Sequence, residues 1–598
     1  MGATAGRRAI LHGRIAWGLL VLAGVGACGR SSLLDTVYVY AGSDAASGLD
    51  GGRSDGSAAD GAARDATHDS RALDASHADA RSDATHDATD AKDGGDAGRD
   101  AGTDSCPLPL TAISGRAFWA SGAQGDVAVY ASARGPAGST AIVGVYGGPV
   151  TLGPFALSSA MDEDSEYVPQ AFVAELDSEG NYVFATAFVN VDGPTGYDYN
   201  YNQAAFDVAF DGDGNLVVVG GFQGEIRFPG SPPGVLATNF PHVQGSSDYG
   251  PGFAYVVKLD PHGQHLWSKS FGSLAGGAAA YAIVLEPDGH IVLGGSFEAQ
   301  INFAGADAGD GGPLAFQLPS TGGRAFVLSL TSTGEPVWAR VLYSFTYSDL
   351  RGMVVDTAGN IYVAGSFADA LSYIGDGLDA GNLASCDAAY GCNQTAYAVK
   401  IVPDGGLAWH AGVPGLPNLP LTFGGSAFDD ITVDGLGNAS VIGWFYDGFV
   451  DLDAGTSNYT AQNVVVVSFD EAGGTRWTVA TGHSGPGQDG IACDALGDLF
   501  VSAQTRGNIT FPDGYDAGGP SDAATSFIAR LHPDGTTVWG HAFPASQVGP
   551  LTPMVDKCAT SLIFAGTLGA DGVTLESVHD GGELAVTDSG IVVMRIAP

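Results

Sequence analysis

Basic residues are scarce in this chain of 598 residues: Lys and Arg number 24 against 66 Asp and Glu, and the formal net charge is −42. Contacts to phosphates need clustered basic side chains, so this balance argues against nucleic acid and anionic lipid headgroups as partners. Only 15% of the residues are charged, whereas 91 are Gly. Short strands joined by tight turns, and hence an all-β fold, are predicted.

Recognisable catalytic motifs are also missing. The segment Gly482-His483-Ser484-Gly485-Pro486 lacks the last glycine of a nucleophile elbow, and no His-Glu-x-x-His motif occurs. The turn that begins Asp211-Gly212-Asp213 resembles the start of a calcium loop, but no acid follows to act as the bidentate ligand. We therefore predict a non-enzymatic protein with no cofactor; Ca²⁺ stays an unsupported alternative.

The N-terminal segment predicts an export signal. Arg7, Arg8 and Arg14 precede a short apolar stretch that ends at Cys28, which is the pattern of a secretory signal peptide. The segment Val25-Gly26-Ala27-Cys28 resembles the lipobox of bacterial lipoproteins, in which the cysteine is lipidated. The resemblance implies an outer-membrane lipoprotein that faces the cell surface, with a periplasm-facing protein as the alternative.

Residues 29–105 predict a disordered tether. From about residue 41 to residue 105, Asp, Ala and Gly dominate and large apolar residues are nearly absent, so this part cannot form a core. Its like charges favour an extended chain. The predicted domains are therefore a signal peptide over 1–28, the tether over 29–105 and a folded domain over 106–598.

From residue 114 onward the chain repeats. Each copy holds two hairpins, hence four strands a to d, with turns such as Asp211–Asn215 and Asp260–Gln264. A Trp recurs in the predicted d strands at positions 267, 338, 409, 477 and 539. Four-stranded units at this period are typical of propeller blades.

The seventh copy lacks a d strand, and an orphan strand with Trp119 precedes the first copy. We therefore predict a seven-bladed β-propeller closed by its N-terminal strand. Cys106 and Cys558 would meet at this closure and form a disulfide. Cys386 and Cys392 lie six residues apart and predict a local disulfide, with metal binding as the alternative, and Cys493 is left as a buried free thiol.

The repeats resemble the bacterial β-propeller repeat family of cell-surface and secreted proteins. The matching pattern is Val-Asp-x-x-Gly-Asn-Ile-Tyr-Val-x-Gly-Ser-Phe at 355–367, then Ala-Tyr-Ala-Val-Lys-Ile at 396–401 and a Trp in strand d. The resemblance implies a propeller and a surface location. It brings no catalytic residues.

Two groups of residues are candidate sites. Asp126, Asp207 and Asp430 align at the start of strand a and predict either a cation-binding acidic ring or caps for the loop backbone. The b–c and d–a connections are long, for example 223–253, 298–324 and 368–395, and long loops on a rigid scaffold often bind ligands. The aromatic candidates are Tyr197, Tyr199, Tyr201, Phe345, Tyr347, Trp444 and Tyr446.

These features predict a monomeric, lipid-anchored module that binds or adheres to a glycan or protein. The partner would bind the face that carries the long b–c and d–a connections, the long-loop face. Aromatic rings beside Asn and Asp on these loops can stack on sugars or anchor a protein. The module would touch the membrane only through its lipid. A periplasmic scaffold for envelope assembly and a glycan-processing enzyme are the alternatives.

Protease shaving of intact cells tests the predicted location. The tether should be cut wherever protease reaches it, while the folded domain resists. We expect release of the folded domain from intact cells. Release only after the outer membrane is broken would instead place it in the periplasm.

Overall fold

The computed structural model describes most of the repeat region. The described residues are 117–124, 127–159, 167–190, 203–238, 252–273, 276–303, 315–317, 323–368, 370–375, 378–385, 394–413, 425–445, 448–452, 455–459, 463–481, 483–484, 489–494, 496–519, 524–544, 548–555, 562–568, 573–576, 583–586 and 590–596. The regular secondary structure of these residues consists of β-strands and one 3-10 turn at Pro136–Gly138.

The long strands recur in the order a, b, c, d and are numbered along the chain. The a strands are β2 (Val127–Arg134), β8 (Ala204–Phe210), β14 (Ala278–Leu285), β20 (Ser348–Val355), β26 (Ser426–Val433), β33 (Gly490–Cys493) and β39 (Val548–Val555). The b strands are β3 (Thr140–Tyr146), β9 (Leu216–Phe222), β15 (Ile291–Glu298), β21 (Ile361–Phe367), β27 (Ala439–Phe445), β34 (Leu499–Arg506) and β40 (Leu562–Leu568).

The c and d strands complete the set. The c strands are β6 (Gln170–Leu176), β12 (Phe253–Leu259), β18 (Gly323–Leu330), β24 (Thr395–Ile401), β30 (Asn463–Phe469), β37 (Ala524–Leu531) and β43 (Gly590–Ile596). The d strands are β7 (Tyr182–Asn190), β13 (His265–Phe271), β19 (Pro336–Tyr343), β25 (Leu407–Val413), β31 (Thr475–Thr481) and β38 (Thr537–Pro544). In each of the first six units a pairs with b, b with c, and c with d, all antiparallel.

The seventh unit takes its fourth strand from the other end of the sequence. After β39, β40 and β43, the next strand in that sheet is β1 (Ala117–Gln124). β1 pairs antiparallel with β43, with Ala120 opposite Met594 and Gly122 opposite Val592. β1 therefore lies where a d strand lies in the other sheets.

A short hairpin interrupts each b–c connection. These hairpins are β4–β5 (Val150–Leu152, Phe155–Leu157), β10–β11 (Glu225–Phe228, Gly234–Ala237), β16–β17 (Gln300–Asn302, Ala315–Gln317), β22–β23 (Ala370–Gly375, Leu378–Ser385), β28–β29 (Gly448–Leu452, Gly455–Tyr459), β35–β36 (Ile509–Thr510, Asp516–Gly518) and β41–β42 (Val573–Glu576, Glu583–Val586). A two-residue strand, β32 (His483–Ser484), also pairs with β34.

Three of the hairpins extend a neighbouring sheet. β4 pairs with β1, β10 with β7, and β22 with β19. Each partner is the outer strand of its sheet, whose unpaired backbone groups would otherwise face solvent. In these three b–c connections, which the sequence analysis predicted to be long loops, the hairpin therefore covers the edge of a sheet.

The apolar core lies between successive sheets. Val217 and Val219 of β9, for example, share one buried cluster with Ile291 and Leu293 of β15. Strands such as β9 and β21 are buried along their whole length. This two-sided burial explains why the b strands read as continuous apolar runs instead of alternating patterns.

In five of the described sheets, the recurrent aromatic residue of strand d packs against the next sheet. Its ring lies against the positive-φ glycine of the following sheet's c–d turn: Phe184 on Gly263, Trp267 on Gly334, Trp338 on Gly405, Trp409 on Gly473 and Trp477 on Gly535. Two of the indoles also donate to a carbonyl of that turn, from Trp338 to Pro403 at 2.9 Å and from Trp477 to Pro533 at 2.8 Å.

Replacing one of these glycines should reveal the contact. Gly473 has φ of +87°, and a Cβ there would lie 2.9 Å from the Trp409 ring. Gly514 has φ of +88° with no atom within 4 Å of such a Cβ. We expect Gly514→Ala to cost about 1–2 kcal/mol through backbone strain, and Gly473→Ala to cost about 1–3 kcal/mol more through overlap. Urea unfolding measures both, and equal losses would contradict the proposed contact.

Candidate functional site

The predicted site residues fall partly within the described structure. Phe345, Tyr347, Trp444, Asp207, Asp430 and Cys493 are described. The following lie outside the described residues, so their predicted roles stay predictions: Cys28, Cys106, Cys386, Cys392, Cys558, Tyr197, Tyr199, Tyr201, Tyr446 and Asp126.

Cys493 is a free thiol in β33, as the sequence predicted. Its Sγ lies 3.0 Å from the carbonyl oxygen of Val433, to which it donates. Burial raises the pKa of this thiol to about 12. A thiol that stays protonated is a poor nucleophile, so Cys493 is a packing residue.

The β19–β20 connection displays an exposed aromatic side chain. Phe345 is 68% exposed, whereas Tyr347 is half-buried. The Tyr347 carbonyl accepts a hydrogen bond from the Ala368 backbone at 3.0 Å. The Ser344 hydroxyl donates back to the carbonyl of Ala368. The backbone on either side of Phe345 is thereby tied to the end of β21.

A buried arginine holds the tip of the same loop. Arg324 of β18 is fully buried. Its Nη2 donates to the Phe345 carbonyl at 2.5 Å, and its Nη1 to the Thr346 carbonyl at 2.9 Å. Charge-assisted bonds of this kind are stronger than neutral ones. Phe345 is therefore presented by a fixed backbone, which lowers the entropic cost of using it for binding.

Trp444 lies elsewhere. It is half-buried in β27, opposite Ala427 and Val464, and its ring lies beside Gly425. The structure therefore places Phe345 and Tyr347 on one loop and Trp444 within a different sheet.

Asp207 and Asp430 join the a strands of successive sheets. Asp207 Oδ1 accepts from the Val208 backbone at 2.9 Å, and its Oδ2 from the Ile283 backbone in β14 at 2.9 Å. Asp430 makes the corresponding bonds to Ile431 and to Ile491 in β33. Both aspartates therefore accept from backbone groups of a strands, and not from the loop backbone that the capping alternative named. Cation binding by the acidic ring stays a prediction, and this geometry adds no support for it.

The residue just before Asp207 and the one just before Asp430 lie at β-bulges in the a strands. A register shift interrupts the a–b pairing at the same point in five sheets, and a β-bulge of this kind re-aims one side chain. The residues left out of the pairing are Tyr130, Phe206, Tyr281, Arg351 and Asp429. We call these five residues, together with Asp489, which immediately precedes β33, the bulge series.

The first half of the bulge series is aromatic. The Tyr130 and Phe206 rings are stacked with centroids 5.4 Å apart, and the Phe206 and Tyr281 centroids lie 5.0 Å apart. Phe206 and Tyr281 are buried. Three consecutive a strands are therefore connected by one row of ring contacts, worth about 0.5–1.5 kcal/mol per pair beyond simple burial.

The second half is charged. Arg351 Nη1 donates to Asp429 Oδ1 at 2.7 Å, and its Nε donates to Asp349 Oδ2 at 3.0 Å. Asp349 also accepts from the Ser366 backbone and hydroxyl. Asp349, Arg351 and Asp429 are all buried. Because buried charges are tolerated only when paired, this network fixes the position of its members closely.

Asp489 ends the series and is electrostatically distinct. Burial raises the pKa of its carboxyl well above the usual range, and the negative charge of Asp429 raises it further, while Arg351 lowers it. Among the described residues, no group donates a hydrogen bond to Asp489 Oδ1. Asp489 Oδ1 is thus a buried carboxyl oxygen that could accept a hydrogen bond from a ligand's hydroxyl group.

The sequence analysis missed this series by one residue. It aligned Asp126 with Asp207 and Asp430 at the start of strand a, but the bulges align Asp207 and Asp430 with Ala131, and both aspartates lie inside their strands. The neighbouring Phe206 and Asp429 occupy the bulge. A bulge displaces one side chain without changing the hydrophobic pattern around it, so periodicity gives no warning. The usable signal is the repeated alignment itself, in which the position before Asp207 and Asp430 is aromatic in some copies and charged in others.

The raised pKa of Asp489 predicts a pH-dependent stability. A carboxyl group whose folded pKa is raised contributes its full stability below the unfolded pKa of about 3.9 and loses it as the pH rises toward the folded pKa. Asp489→Asn should therefore become progressively more stable than the wild type above about pH 4. Urea midpoints measured from pH 4 to 8 check this, with the exposed Asp213→Asn as control. Parallel curves for wild type and Asp489→Asn would refute it.

Comparisons with known proteins place the chain near no characterised family. No known family and no curated protein matches it. Among solved structures, a protein of unknown function from Bacteroides caccae is 9% identical with a TM-score of 0.28, covering 69% of this chain and 96% of its own. Virginiamycin B lyase from Staphylococcus aureus is 10% identical with a TM-score of 0.25, and the match covers 66% of this chain and 95% of the lyase. A gluconolactonase from Xanthomonas campestris is 12% identical with a TM-score of 0.26, and the match covers 81% of this chain and 100% of the gluconolactonase. Similarity this weak carries no argument about activity.

Proposed function

We propose that this protein is a lipid-anchored, seven-bladed β-propeller that binds a glycan or a protein at the cell surface and has no catalytic role. The a–b–c–d units and the pairing of β1 with β43 support the seven-bladed ring. Contacts between consecutive a strands, including those between β39 and β2, support its closure. The leader ending at Cys28 supports the anchor. Within the described residues, no helix is long and apolar enough to span a bilayer.

The observation that carries the binding function is the fixed loop around Phe345. A phenylalanine that is 68% exposed is costly to leave in water, and here its backbone is held by the fully buried Arg324. Exposed aromatic side chains on rigid supports are the usual anchors of binding interfaces. The loop leads directly into β20, which carries Asp349 and Arg351, so the exposed ring and the buried Asp349–Arg351 ion pair share one segment.

Phe345→Ala tests this proposal. The purified full chain is applied to a printed glycan array and to intact bacterial cells, and bound protein is quantified. We expect binding to weaken about 5-fold or more, because loss of an anchoring aromatic typically costs more than 1 kcal/mol. The unfolding midpoint should not change, since the side chain is exposed.

Leu436→Ala is the matched control. Leu436 is 80% exposed but lies in the short β26–β27 turn, away from the proposed face, so its removal should leave binding intact. Equal binding by wild type and Phe345→Ala would refute the role of this loop. Turnover of an arrayed glycan would refute the non-enzymatic proposal.

A further inference from the structure

The short hairpin turns of the fold share a pattern, and those that depart from it include the turns that begin with Glu286, Thr331, Val402 and His532. In seven sister turns the first residue is Asp, and its Oδ1 accepts from the backbone N–H groups two and four residues later: Asp177, Asp211, Asp260, Asp356, Asp434, Asp470 and Asp494. The β14–β15 turn begins instead with Glu286. It keeps the backbone bonds of the turn, from Glu286 to His290 and from Gly289 to Glu286.

The longer side chain of Glu286 does not accept a hydrogen bond from the backbone of its turn. Asp288 caps the turn instead: its Oδ1 accepts from the His290 backbone N–H at 3.0 Å. The Glu286 side chain is 2% exposed. Neither of its carboxylate oxygens has a hydrogen-bond partner among the described residues, and Oε1 lies beside Gly359 of the next sheet. A buried carboxylate with no donor is strongly disfavoured unless a proton or a cation neutralises it.

Two further ligating groups face this carboxylate. His290 Nδ1 lies 3.7 Å from Glu286 Oε2 and 3.3 Å from Asp288 Oδ2. All three ligand atoms lie within 4.8 Å of one another. A metal bound at about 2.0–2.2 Å by nitrogen and oxygen ligands holds neighbouring ligand atoms about 3.3 Å apart. The two distances from His290 Nδ1, 3.3 and 3.7 Å, are therefore close to those of a coordination shell.

We propose that Glu286, Asp288 and His290 bind a divalent transition-metal ion, with zinc as the reference ion. One imidazole and two carboxylates suit zinc and copper, whereas calcium takes oxygen ligands alone. The half-exposed Asp288 and His290 side chains leave the outer side of the site open to water. All three ligands belong to the β14–β15 turn, and Glu286 Oε1 lies beside Gly359 of the neighbouring sheet.

Metal titration of the full chain tests this site. Co²⁺ is followed by its visible absorption and Zn²⁺ by calorimetry, for the wild type, Glu286→Gln and His290→Ala. We expect one equivalent of Co²⁺ or Zn²⁺ to be lost in both variants. Zinc at 100 times its Kd should raise the wild-type Tm by about 3 °C, and this rise should vanish in the variants. Because the His290 side chain is partly exposed, its variant should fold even if Glu286→Gln does not.

His262→Ala is the matched control. Its turn, Asp260-Pro261-His262-Gly263-Gln264, resembles Glu286-Pro287-Asp288-Gly289-His290, but Asp260 caps its own backbone. We expect His262→Ala to bind as the wild type does. Binding that is equal in all four proteins would assign the ion to other residues, such as the tether histidines, and would overturn the proposal. Absence of binding to the wild type would overturn it as well.

Discussion

The contact between a d-strand aromatic ring and the glycine of the next c–d turn is the constraint on which the rest of the structure depends. The glycine supplies the positive φ that the turn needs, and its missing side chain leaves room for the ring. One residue thus satisfies a local and a tertiary requirement. Because the contact recurs from sheet to sheet, it sets how neighbouring sheets meet, and the apolar clusters fill the space that it defines.

Much of the architecture was predictable because it depends on local chemistry that the repeats display. The turns with Asp, Asn and Gly form where expected, and the recurrent Trp residues lie in d strands. The orphan strand with Trp119 pairs with β43. The b–c hairpins were not predicted: strands of two to eight residues give little periodicity, so their segments read as loops. What reveals them is the pairing with a neighbouring sheet, which depends on distant sequence.

The candidate site was predictable only in part. Phe345 was identified from composition, but its rigid support by Arg324 comes from a residue 21 positions away. The bulge series depends on a backbone irregularity that moves the relevant side chain by one position. Two adjacent positions of the a strands therefore have different roles. Asp207 and Asp430 accept hydrogen bonds from the backbone of the next a strand. The preceding residues, Phe206 and Asp429, contact the bulge residues of neighbouring sheets.

The pairing of β1 with β43 also has a consequence for folding. β1 precedes the other described strands, whereas its partner β43 follows them, so almost all of the described chain lies between the two. A pairing between such distant segments is slow to form. Until it forms, the free edge of β43 is open to pairing with strands of other chains.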